Sequence, residues 1–133
     1  MNPSIEISAS ALSAQRLRME MAAHNLANSQ TAGYKRRSVE LAENKLPAFG
    51  ELLEGKTGGG VKVAGITESE VPFSLRFDPS NPGADEKGYI KVPQSDPVGD
   101  MVDLMTAMRA YEANLAAVEA ARNISQQSLG IGR

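Results

Sequence analysis

The sequence predicts a mainly α protein in which long N- and C-terminal helices pair as a coiled coil, with a small irregular β-element between them. Apolar residues recur at helical spacing near both ends of the 133-residue chain, whereas Gly and Pro concentrate in its middle. Aromatic residues make up only 5% of the chain, which contains no Trp. Such a composition forms long helices more readily than a thick globular core.

The first helix is predicted from about Pro3 to Asn28. Asn2 is a suitable N-cap, and Pro3 suits the first helical position, which needs no backbone N–H. Four apolar residues then recur every seven positions and form a narrow seam: Ile5, Leu12, Met19 and Leu26. Ala9 and Ala23 fall on the same side, where small residues let a second helix approach closely.

The last helix is predicted to begin after the Asp96-Pro97 pair and to stop at Gly130, a residue that easily adopts a left-handed C-cap. Within it, apolar residues alternate spacings of three and four, as in a coiled-coil seam: Met101, Leu104, Met108, Tyr111, Leu115 and Val118. Seam residues look the same whether the partner helix belongs to the same chain or to another. A plain antiparallel helix hairpin is therefore an equal alternative.

The middle of the chain, residues 34–95, is predicted to hold loops and a small β-element, so that 1–33 and 96–133 form a discontinuous coiled-coil core. Apolar residues alternate with other residues from Val71 to Phe77, which is the period of a half-buried strand. Pro72 favours an edge position for this strand. Residues 61–63 and 89–92 are shorter candidate strands.

Charge and residue usage argue against several functional classes. A net charge of −2 does not suit a general nucleic-acid binder. The local basic run Lys35–Arg37 is interpreted as solvated loop charge or as a partner for acidic residues on a neighbour. The chain has no Cys, and His24 is its only histidine, so no metal and no cofactor are expected. No segment is apolar enough to span a membrane, and no cleavable signal is expected.

One stretch, Gly50–Thr57, matches the letters of a phosphate-binding P-loop. The physical context differs, because Gly58, Gly59 and Gly60 follow where a helix should begin. Glu51 and Glu54 would also place negative charge beside a nucleotide. We therefore expect a flexible loop, no catalytic residues and no enzyme.

The segment at the end of the first helix contains Asn25, Asn28, Thr31, Gly33 and Tyr34. With these residues it resembles the asparagine-rich signature of the flagellar rod, hook and hook-junction family. Further similarities follow in order along the chain, at 10–17, 59–64, 77–89, 101–102, 109–114 and 129–130. The central matches are most similar to the proximal rod protein C branch of the family, whereas the short step from Thr31 to Gly33 is closer to proximal rod protein B.

The resemblance implies a structural subunit of the bacterial flagellar basal-body rod, with the seam residues of both helices as its subunit interface. It implies self-association and assembly with the other proximal rod proteins, the distal rod protein and the adaptor at the rod base. It also implies export without a cleaved signal by the flagellar type III apparatus and assembly in the periplasm. Neither binding to nucleic acid nor insertion into a membrane is expected. The alternative is a small soluble helical adaptor that binds a partner helix in a groove.

Overall fold

The protein consists of two long helices that flank two small antiparallel sheets of two strands each. A computed structural model describes residues 3–45, 58–70, 73–93 and 95–131. The elements, in chain order, are α1 (Pro3–Ala27), β1 (Arg37–Glu43), β2 (Val61–Glu68), β3 (Ser74–Phe77), β4 (Tyr89–Val92) and α2 (Pro97–Ile131). The prediction of terminal helices around a small β region is therefore confirmed.

A local sequence signal explains the start of α2. The side chain of Asp96 accepts a hydrogen bond at 3.0 Å from the backbone N–H of Gly99, so the predicted N-cap of α2 is confirmed. Asn2 lies outside the described residues. The predicted stop at Gly130 is wrong, because α2 continues to Ile131 and Gly130 has no positive φ. A glycine near a helix end keeps ordinary helical geometry at a cost of about 1 kcal/mol.

The middle of the chain forms two hairpins where the sequence indicated one small element. β4 matches its predicted range, and β2 extends well beyond the predicted 61–63. The strand predicted from Val71 is described as β3 from Ser74 onward, and Val71 and Pro72 lie outside the described residues. β1 was not predicted, because its charged residues recur at every third position, Arg37, Glu40 and Glu43, and the alternation typical of a strand is absent.

The two helices pack against each other and run antiparallel. Residues of the C-terminal half of α1, such as Met21, line the same small cavity as Asp103 near the start of α2. At 1.5 Å per residue, α1 is roughly 37 Å long and α2 roughly 52 Å. The last turns of α2 therefore extend about 15 Å past α1. Ile124 and Leu129 in this region are 64% and 79% exposed.

The hairpin of β1 and β2 lies diagonally across α1. At one corner the Ser10 hydroxyl accepts a hydrogen bond from the N–H of Val61 at 3.1 Å. At the opposite corner Asn25 binds the backbone of Arg37. The two anchor points on α1, Ser10 and Asn25, are 15 residues or roughly 23 Å apart along the helix. The seven residues of β1 span about the same distance, so the hairpin reaches from one anchor to the other. Gly60 allows this close approach, because a Cβ there would overlap the Ser10 hydroxyl and lie 3.3 Å from the Cα of Ile7.

The apolar core is thin. In the described part of the chain, the buried apolar residues are Ala14, Met21, Ala22, Ile90, Val92 and Ala107. Three of these six are alanine, so the core buries little apolar area for a chain of this length. No helix among the described residues is long and apolar enough to cross a bilayer.

A candidate subunit interface

Asn25 is the centre of the asparagine-rich motif and is only 4% exposed. Its amide nitrogen donates to the carbonyl of Arg37 at 2.8 Å, and its amide oxygen accepts from the N–H of Arg37 at 2.9 Å. The same oxygen also accepts a hydrogen bond from the Tyr34 hydroxyl at 2.9 Å, which is the third hydrogen bond of the Asn25 side chain. The side chain thus joins the end of α1, the following turn and the first residue of β1.

The other motif residues shape the turn after α1. The Asn28 side chain donates to the carbonyl of His24 at 2.9 Å, and the backbone N–H of Asn28 donates to the same carbonyl at 3.0 Å. The Thr31 hydroxyl donates to the Asn28 side chain at 3.2 Å. Gly33 has φ of 75°, a left-handed geometry that favours glycine, and its N–H donates to the carbonyl of Lys91 in β4. Each of the five motif residues therefore makes a contact or adopts a backbone geometry that fixes the turn after α1.

An ion pair connects this turn to the start of α2. The Arg36 guanidinium lies 2.7 Å from the carboxylate of Asp100, whose side chain is 2% exposed, and 3.3 Å from that of Asp103. The hydrogen bond to Asp100 raises the pKa of Arg36 above its ordinary value, against the opposing effect of desolvation. Arg37 pairs with Glu68 at 3.2 Å. Arg36 and Arg37 of the basic run thus pair with acids of their own chain rather than remaining as free loop charge.

On α1, burial is centred beside the predicted seam. The four predicted residues, Ile5, Leu12, Met19 and Leu26, are each half-buried. The most deeply buried residues of this helix are Ala14, Met21, Ala22 and Asn25. This difference has a structural cause, because α1 contacts both α2 and the β1–β2 hairpin, and burial is spread around its circumference.

On α2, the face that packs on α1 contains only half of the predicted seam residues. At the other three positions, the buried or half-buried residue is the one directly before the predicted residue. The residues of this face are buried or half-buried, and they form two sets that each recur every seven positions. The first set is Asp100, Ala107, Asn114 and Ala121, and the second set is Leu104, Tyr111, Val118 and Ser125. Leu104, Tyr111 and Val118 belong to the predicted seam. Ala107 is 0% exposed, and its small side chain lets α1 approach more closely than a methionine would. Alanine spacing does not single out this face, because Ala113, Ala116, Ala117 and Ala120 of the same helix are exposed.

The remaining predicted residues belong to a second apolar face of α2. Met101, Met108 and Leu115 are 51%, 49% and 41% exposed. Together with Val98 and Met105 they form a stripe at spacings of three, four, three and seven, which we call the outer stripe. α1 is the only described helix or strand that α2 contacts, and it leaves the outer stripe uncovered. Exposed apolar faces of this kind are common at surfaces that bind another protein, so the outer stripe is a candidate subunit interface.

The described residues contain no candidate metal centre. No three His, Cys, Asp or Glu side chains in the described ranges come together as metal ligands. His24 is exposed on α1. The P-loop-like stretch from Gly50 to Thr57 lies outside the described residues.

Comparison with known proteins places both helices in one group of proteins. Residues 5–35 match the family described as "Flagella basal body rod protein", and residues 86–131 match "Flagellar basal body rod FlgEFG protein C-terminal". The flagellar basal-body rod protein FlgC of Bacillus subtilis is 39% identical, with 98% of this chain and 97% of the relative covered. FlgC of Escherichia coli O6:H1 is 38% identical over 96% of this chain and 95% of its own length. FlgC of Aquifex aeolicus is 40% identical over 93% and 91%. The chain belongs to the FlgC family of flagellar basal-body rod proteins.

Proposed function

We propose that the protein is a structural subunit of the flagellar basal-body rod and that it carries no catalytic activity. The observation that carries this proposal is the outer stripe, an apolar helix face that the subunit itself does not cover. A rod subunit needs such faces, because each copy must be held by its neighbours. Its family is one of structural rod proteins, which agrees with this role.

The exposed area of the chain supports assembly. The accessible surface is 9533 Å² for a mass of 14.1 kDa. A compact monomer of this mass exposes about 6,700 Å², so the excess is roughly 2,800 Å². A standard interface buries about 800 Å² on each partner. Part of this excess would be buried against neighbouring subunits in an assembled rod.

We further propose that the helices, with residues 1–33 and 96–133, form a coiled-coil core that packs around the export channel of the rod. The seam residues of α1, the outer stripe and the last turns of α2 would face neighbouring subunits. The partners would be further copies, the other rod proteins and the adaptor at the rod base. The flagellar type III apparatus would export the chain, which would then assemble in the periplasm.

Complementation tests the function directly. Cells that lack their own FlgC should regain rods, hooks and swimming when they express this chain, and the chain should be recovered in isolated basal bodies. Absence of the chain from restored basal bodies would contradict the proposal.

Circular dichroism over a wide dilution series separates a rod subunit from a helical adaptor. Isolated helices are marginal in water, so helicity should fall on dilution and recover on assembly. A highly helical monomer whose signal stays constant and which melts sharply would favour the adaptor.

A further inference from the structure

The outer edge of β4 is occupied by its own chain. Gly33 donates its N–H to the carbonyl of Lys91 at 3.0 Å. Asp85 binds both backbone groups of Tyr89, at 2.9 Å through its own N–H and at 2.8 Å through its side chain. Three of the four backbone groups that Tyr89 and Lys91 turn away from β3 are therefore paired.

The outer edge of β3 is open. Asp78 donates to the carbonyl of Gly88 at 2.9 Å, and hydrogen-bonded pairs alternate along an antiparallel ladder from that point. Arg76 and Ser74 therefore pair with β4, whereas the N–H and C=O groups of Leu75 and Phe77 point away from it. These outward groups have no hydrogen-bond partner within the described ranges. The side chains of Leu75 and Phe77 are also 64% and 63% exposed.

A second open edge lies on β2. Ser69 donates to the carbonyl of Arg36 at 2.7 Å, which fixes the alternation in the first sheet. The same rule then directs the backbone groups of Ile66 and Glu68 away from β1. Ile66 is 49% exposed, and no described residue pairs with its backbone. At the matching corner of β1, by contrast, Asn25 occupies both backbone groups of Arg37.

We propose that the β3 edge of one copy pairs with the β2 edge of a second copy, as an added antiparallel strand. Exposed strand edges with apolar side chains bind further strands in this way. The described strands of the two hairpins do not contact each other within one chain, so the proposed pairing joins separate copies. Because the two edges differ, the contact is head-to-tail and can continue through an open assembly. The inference rests on the proposed function, which brings the copies together.

The charged side chains beside the two edges favour the β2 edge of a second copy as the partner of the β3 edge. Arg76 and Lys91 are exposed on the β3–β4 hairpin, and neither forms an ion pair with a described residue. Beside the β2 edge lie two exposed carboxylates, Glu68 and Glu70. Opposite charges on adjoining strands stabilise a sheet, whereas like charges destabilise it. Pairing of β3 with a second β3 centred on Arg76 would place two arginines opposite each other, which disfavours the symmetric alternative.

One register satisfies these constraints, with Phe77 opposite Ile66 of the second copy and Leu75 opposite Glu68. This register places the ring of Phe77 against the side chain of Ile66. It also places Lys91, which pairs with Leu75, near the carboxylate of Glu68. Hydrogen-bonded pairs have Cα atoms about 5.5 Å apart, which is within the range of a disulfide. The chain has no cysteine of its own, so introduced cysteines report only on this contact.

The test is disulfide crosslinking in isolated basal bodies that carry Ile66→Cys together with Phe77→Cys. Mild oxidation should give a ladder of multiples of the 14.1 kDa chain on a non-reducing gel. Each single variant should stay monomeric, and so should the control pair Leu41→Cys with Phe77→Cys, because Leu41 lies on β1. If the first pair prevents assembly, Leu75→Cys with Glu68→Cys samples the neighbouring position of the same register.

Normal rods without a ladder from either pair would overturn the proposed contact and leave the proposed function intact. A crosslink in the single Phe77→Cys variant would also overturn it, because that result requires two β3 strands to meet. Failure of the cysteine-free chain to form rods would instead count against the proposed function.

Discussion

The side-chain amide of Asn25 makes to Arg37 the same pair of hydrogen bonds that a neighbouring β-strand would make, at 2.8 and 2.9 Å. Asn25 lies in the last turns of α1, and Arg37 is the first residue of β1. One buried amide therefore fixes the end of the helix and the edge of the hairpin together. Tyr34 completes the arrangement through its hydroxyl, so the intervening turn is held as well.

Asn25→Ala should lower the free energy of unfolding by about 2–4 kcal/mol, because it leaves both backbone groups of Arg37 and the Tyr34 hydroxyl without a partner. Chemical denaturation at a fixed protein concentration measures this change. Asn28→Ala is the matched control, and it should cost about 1 kcal/mol or less, because Asn28 caps a more exposed carbonyl. Equal effects of the two substitutions would show that the Arg37 contact contributes little.

Gly60→Ala should destabilise the protein by about 1–3 kcal/mol, since alanine is strained at a positive φ and its Cβ would overlap Ser10. Thermal melting at a fixed concentration is the measurement. The matched control is Gly65→Ala within β2, the strand that begins directly after Gly60, because no atom lies within 4 Å of an added Cβ there and φ is not positive. A Gly60→Ala protein that melts with the Gly65→Ala protein would contradict the close approach of β2 to α1.

Arg36→Ala should cost about 1–3 kcal/mol, a range reduced for the partial exposure of Arg36, because it leaves the buried carboxylate of Asp100 without its cation. Asp103→Ala removes only the exposed partner and should change stability by about 0.5 kcal/mol or less. Urea unfolding of both variants compares them.

The pH dependence of the Arg36 contribution follows from the direction of its pKa shift. The folded-state pKa is above the ordinary value. Its stabilisation is therefore complete at every pH below that ordinary value and is lost only as the pH rises through the folded-state pKa, in strongly alkaline solution. The stability gap between the native chain and Arg36→Ala should not shrink between about pH 7 and pH 9. A gap that closes in this range would point to a different titrating group.

The sequence predicted the helices well because their signals are local. Pro3, Asp96 and the spacing of apolar residues each depend on a few neighbours along the chain. The offset on α2 was not accessible in the same way, since the choice between Met108 and Ala107 as the buried residue depends on how closely α1 approaches. Large apolar residues dominate a periodicity count, whereas close helix packing selects alanine.

The missed strand β1 has a related cause. Its pattern contains Glu40 and Glu43, and its position is fixed by Asn25 and by pairing with β2 rather than by its own propensity. The motif residues were recognised by resemblance, and their physical roles came from contacts such as Asn25 with Arg37 and Gly33 with Lys91. Neither contact could be derived from spacing, because each joins elements through the tertiary fold.

Leu115→Asp should leave the fold of the subunit almost intact and prevent its assembly into rods. Leu115 is 41% exposed within the subunit, so a carboxylate there keeps access to water and should cost about 1 kcal/mol or less in the isolated chain. In a covered outer stripe, the same substitution loses apolar burial of about 1.5–3 kcal/mol and buries an unpaired charge in every copy. Glu119→Ala is the control, since Glu119 is exposed on α2 and is not part of the outer stripe.

Two measurements separate folding from assembly for this variant. The purified Leu115→Asp chain should show the same helical signal and melting as the native chain at equal concentration, below the concentration at which either assembles. In cells that lack FlgC, Glu119→Ala should support rods and swimming, and Leu115→Asp should not, although both chains are synthesised. Swimming cells whose rods contain Leu115→Asp would show that the outer stripe remains exposed in the rod. The interface would then have to lie on other faces, such as the half-buried residues of α1 or the projecting end of α2.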